Sequence, residues 1–70
     1  MTASTITLIN PFSSATVERN TADIDAQAVA ALLDDATLAA LEGADTDAEW
    51  LVSYVEYVGA EEAGRVILGS

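Results

Sequence analysis

Seventy residues can enclose one small core at most, and the absence of cysteine excludes both disulfide staples and thiolate metal sites. Twelve Asp and Glu stand against two Arg and no Lys or His, a net charge of −10 that opposes binding to nucleic acid or anionic membranes and favours basic protein surfaces. The apolar share is 51%, but 14 of those residues are Ala, so the core has to come from seven Leu, six Val, four Ile and a few aromatics.

That supply fits a single domain spanning residues 1–70, or a homodimer sharing one core. The amino terminus, Met1 to Thr5, has neither a basic n-region nor an apolar h-region. No apolar run reaches membrane-spanning length, so a cytoplasmic protein is expected.

Thr5 to Ile9 is mostly β-branched and alternates polar with apolar residues, which predicts a strand. Asn10-Pro11-Phe12-Ser13-Ser14 follows as a five-residue turn, and Ala15 to Arg19 is the returning strand of a hairpin. From Thr21 the period changes. Ile24, Ala28 and Leu32, with Val29 and Leu33, form a helical stripe for which Thr21 or Asp23 would be the N-cap. Asp34 and Asp35 mark a break and a new cap, and Leu38 and Leu41 give a second short helix ending near Gly43.

Thr46-Asp47-Ala48-Glu49 is a capping box, in which the Thr hydroxyl and the Glu carboxylate each satisfy the other residue's backbone N–H. Behind it Trp50, Leu51, Tyr54, Val55 and Val58 share one face of a third helix that Gly59 stops. Trp50, Leu51, Tyr54 and Val58 are expected to pack on Ile24, Leu32 and Leu41. In the tail, residues 60–70, Glu61-Glu62 suits a helix start, Gly64 weakens a helix, and Val66-Ile67-Leu68 reads equally as a strand. A short fourth helix is preferred. The fold class is therefore α+β, mostly helical: an N-terminal β-hairpin followed by three or four short helices.

Side-chain catalysis by Ser, Thr or Cys needs a neighbouring base, and the chain has no His, Lys or Cys. Ser13, Ser14 and Ser53 read as turn and surface residues, so a non-enzymatic protein without a cofactor is expected. Asp45, Asp47, Glu49 and Glu56 match positions 1, 3, 5 and 12 of a calcium-loop frame, but position 6 requires Gly and holds Trp50. No metal site is expected. An acyl carrier is similar only in size and charge, because no Asp-Ser pair is present to carry a phosphopantetheine arm.

Nine of the acids fall at or near predicted helix starts, where the helix dipole favours negative charge. Their placement is structural; the missing Lys is not. A saline cytoplasm or a GC-rich genome accounts for the acidity without a function. The third account is a protein that presents carboxylates where nucleic acid presents phosphates, since acids three or four residues apart on a helix stand roughly 5–6 Å apart.

In size, charge and the acid-dense stretch from Glu42 to Glu49, the chain resembles small phage-encoded inhibitors of host defence, the anti-CRISPR proteins and antirestriction DNA mimics. That resemblance implies an inhibitor that blocks the DNA-binding groove of a CRISPR effector or similar complex, with no direct contact to nucleic acid or membrane. The residues expected to meet the partner are Glu42, Asp45, Asp47, Glu49, Glu56 and Tyr57. The alternative is an antitoxin-like or assembly module that binds through exposed aromatics, Tyr54 and Tyr57.

Overall fold

The computed structural model describes residues 4–69 of the chain. The first three residues and Ser70, the end of the tail segment, lie outside them. The alternation in the first segment produces strand β1 (Thr5–Ile9), with Ile6 and Leu8 buried and Thr5 and Thr7 exposed. It pairs antiparallel with β2 (Thr16–Asn20), in a register that sets Ile6 opposite Arg19 and Leu8 opposite Val17. The connection is one residue longer than predicted, because Ala15 belongs to the turn. There the Asn10 carboxamide accepts the N–H groups of Phe12 and Ser13, and Ser14 takes a positive φ of 62°. These local bonds satisfy the turn's own backbone and leave Phe12 81% exposed at its tip.

The helical stripe expected from Ile24 to Leu33 does not form one helix. A 3-10 turn occupies Thr21–Asp23, Ile24 is extended, and helix α1 covers only Ala26–Ala30. The cause lies in side-chain capping. Asn20 accepts the Ala22 N–H and starts the turn, while Asp25 accepts the Gln27 and Ala28 N–H groups and starts the helix afresh. Neither Thr21 nor Asp23 is the helix cap. With the helix restarted at Ala26, its buried side becomes Ala26 and Val29, and Leu32 falls beyond its end at 66% exposure. Leu32 is thus not a core residue, contrary to the sequence expectation.

Asp34 breaks the chain and caps helix α2 (Asp35–Ala40), as its position predicts. Thr37 donates to the Asp34 carboxylate, from its hydroxyl and from its N–H, and holds that carboxyl below the usual range. The exposed cap therefore contributes stability above the ordinary carboxylate pKa and loses it as pH falls through the lowered value. Helix α3 (Asp47–Val58) and helix α4 (Ala60–Leu68) complete the fold, so the tail is helical through Leu68. Gly59 separates the two helices with a φ of 91°, a left-handed geometry that costs a glycine nothing.

The core is centred on Leu8 of β1 and Leu51 and Tyr54 of α3, with Ile6, Ala26, Val29, Leu41 and Ala63 completing it. Half-buried Ile24, Trp50 and Val58 pack against this cluster, as expected for those three. The α3 helix touches β1, the 3-10 turn, α1 and α4. A flattened body of 33 × 31 × 18 Å results. The fold is α+β and mostly helical, a hairpin followed by short helices.

Tyr54 departs from one expectation. It is wholly buried, stacked on Trp50 with ring centroids 5.7 Å apart, and so is no part of an exposed aromatic pair. Its hydroxyl has no hydrogen-bond partner among the described residues. Leaving such a group unsatisfied costs about 1–3 kcal/mol, so Tyr54→Phe is expected to raise stability by about 1 kcal/mol in a urea melt. Burial, with the negative charge of Glu62 adding to it, pushes the phenol above its ordinary value of 10.0. The unfolded chain then ionises first. Stability attributable to Tyr54 is complete below about pH 10 and declines as pH rises through the folded value, and the Phe variant lacks that alkaline decline. A Phe variant less stable than the parent would show that the hydroxyl has a partner after all.

Candidate partner-binding face

All twelve acids are exposed, and they fall on β2, the 3-10 turn, α2, α3, α4 and the connections between them, with none inside α1. The densest stretch is the α2–α3 connection. Leu41 caps α2, Glu42 follows, and Gly43 turns the chain with a φ of 104°. Thr46 accepts the Glu49 N–H and starts α3, which is half of the predicted capping box. The other half is shifted by one residue: the Glu49 carboxylate accepts the N–H of Asp45, at 3.0 Å, and not that of Thr46. This bond folds the connection back over the first turn of α3 and places Asp45 beside Glu49.

Glu42 and Glu49 line one open cleft of about 510 Å³, together with Ser4, Leu41, Val52 and Ser53. Glu56 stands seven residues beyond Glu49, which at roughly 3.6 residues per turn puts it on the same side of α3, two turns along. Of the six predicted contact residues, Glu42, Asp45, Glu49 and Glu56 therefore gather along one side of the connection and helix. Asp47 does not join them, because two residues from Glu49 is about half a turn round the helix. Tyr57 is exposed at 59% and lies next to Glu56 at the edge of that side.

No cation among the described residues pairs with an acid of this face. Arg65 is held by Glu61 and Glu62 of its own helix, at 3.9 and 3.4 Å, and these are the only ion pairs among the described residues. No group of three acids among the described residues is placed to hold a metal ion. Trp50 and Asp47 lie within α3, so the sharp loop a calcium site requires is absent there. No helix among the described residues is long and apolar enough to cross a membrane.

No protein-family model, curated protein or solved structure matches this chain. The functional reading therefore rests on the chemistry of the surface alone.

The sequence reading missed two exposed apolar side chains, Phe12 and Leu32. A signal for Phe12 was present, since a residue following Asn-Pro in a tight turn has nowhere to be buried. None existed for Leu32, whose apolar spacing matches a longer helix than the one that ends at Ala30.

Proposed function

We propose that this protein is a non-enzymatic inhibitor of the anti-CRISPR or antirestriction type, acting in the cytoplasm on a basic, nucleic-acid-handling protein surface. Supporting this reading is one observation above the others: Glu42, Asp45, Glu49 and Glu56 lie along one side of the molecule with no cation among the described residues paired to them. Carboxylates so placed suit a groove lined by Lys and Arg, where they stand in for phosphates. Tyr57, at the edge of this side, is proposed to meet the same partner at its margin, whereas Asp47 lies about half a turn round α3 from it. The partner is a CRISPR effector or another DNA-binding complex, contacted as protein, without nucleic acid or membrane.

Binding of this kind rests on many weak charge contacts. Replacing Asp45, Asp47 and Glu49 by Asn, Asn and Gln keeps the shape and the Glu49 acceptor while removing three charges. Affinity for the basic partner, retained from a lysate at low salt and released at high salt, is expected to fall several-fold and to become less salt-sensitive. Circular dichroism checks that the variant is folded. A folded triple variant that binds as well as the parent, together with a Tyr57→Ala variant that does not bind, would transfer the function to an aromatic interaction module. Tyr57 alone would carry that module on α3, since Tyr54 is buried.

A further inference from the structure

A second surface feature lies apart from the acid-dense connection. Between α1 and α4 runs a groove of about 230 Å³ whose lining includes Asp23, Asp25, Ala28, Leu32, Val66 and Ile67. Val66 and Ile67 are half-buried, and Leu32 stands beside them with two-thirds of its surface in water. An exposed Leu by itself is ordinary. Here it extends a concave apolar strip bordered by two carboxylates, and neither Asp23 nor Asp25 has an ion-pair partner among the described residues. Asp25 uses Oδ1 to cap α1, which leaves its second oxygen for a ligand.

We infer that this groove docks a basic amphipathic helix of a partner protein. One or two aliphatic side chains seat against Leu32, Val66 and Ile67, and Lys or Arg side chains on the same helix reach Asp23 and Asp25. Charge complementarity selects this occupant. A second copy of the chain would bring a net charge of −10 against another of −10, and Arg65, the cation adjacent to the groove in sequence, is already engaged by Glu61 and Glu62. A cationic helix meets attraction from the whole molecule and finds an apolar seat that the acidic connection does not offer. The inference shares with the proposed function the premise of a basic partner, but it concerns a separate surface.

The test is a titration of ¹⁵N-labelled protein with a synthetic helix of about 14 residues, Leu recurring at i, i+3, i+4 and i+7 and Lys elsewhere. A peptide of the same composition with its leucines scattered round the helix serves as control. The patterned peptide is expected to shift the amides of Ala28, Leu32, Val66 and Ile67, and to bind about fivefold more tightly than the scattered one. Leu32→Ser should reduce that affinity about fivefold, and its exposure means that the fold tolerates the change. Asp23→Asn with Asp25→Asn keeps the cap and should lower affinity while flattening its salt dependence. Equal binding of the two peptides, with shifts confined to residues 42–57, would overturn the groove and leave the acidic face standing. Shifts at the groove alone would support the groove and count against the acidic face. Dimerisation that rises with concentration and disappears with Leu32→Ser would assign the groove to a second copy and overturn the inference.

Discussion

Gly64→Ala is expected to lower the melting temperature by about 4–24 °C. Gly64 is buried in α4, and its backbone lies directly against the backbone of Ile9 at the end of β1. A methyl group added there would overlap the Ile9 carbonyl. Backbone on both sides leaves no flexible side chain to move aside, so α4 would have to back away from the strand and drag Ala63 out of the core. Overpacking of this kind costs about 1–3 kcal/mol or more. A domain this size has roughly 4–10 kcal/mol in total, and each kcal/mol moves the midpoint by about 4–8 °C. The helix-propensity gain from Ala, about 1 kcal/mol, is too small to offset the clash. A midpoint within a few degrees of the parent would mean that α4 does not rest on β1 through Gly64.

Leu51→Ala is expected to cost about 2–5 kcal/mol. Leu51 is wholly buried, on the helix that touches β1, the 3-10 turn, α1 and α4, so its removal leaves a void shared by most of the fold. The natural control is Leu32→Ala, which should change stability by less than about 0.5 kcal/mol because Leu32 is mostly in water. Urea midpoints at equal m-value give both figures. Equal losses at the two positions would contradict the observed packing and restore the single long helix that the sequence pattern suggests.

Those two positions show what was legible in the sequence. The hairpin, the Asp34 cap, the start of α3 at Thr46 and the stop at Gly59 follow from local chemistry, and local chemistry is what a sequence displays. The single helix from Ile24 to Leu33 does not form because Asp25 starts the helix only after Ile24, and beyond Ala30 the chain tightens, with Leu32 and Leu33 donating to the Val29 and Ala30 carbonyls. By sequence alone Gly64 only weakens a helix. Its actual role, close approach of α4 to Ile9, depends on a residue 55 positions earlier (64 − 9) and could not be seen without the fold. The sequence suggests two incompatible roles for Tyr54, buried on a helical face and exposed in an aromatic pair, and burial holds.

The candidate face was legible in part. Glu49 and Glu56 share a helix side by spacing alone, whereas the approach of Glu42 and the bond from the Asp45 N–H to Glu49 require the turn at Gly43. Asp47 leaves the run of acids it belongs to in sequence, because neighbouring helical positions point in different directions.

The central claim is that the side bearing Glu42, Asp45, Glu49 and Glu56 meets a basic protein. Hydrogen exchange on this protein, free and saturated with the partner retained at low salt, tests it most directly. Slowed exchange across residues 42–57, largely abolished in the folded triple variant with Asp45, Asp47 and Glu49 neutralised, is the result predicted here. Protection confined to the hairpin around Phe12, with residues 42–57 unchanged, would contradict it.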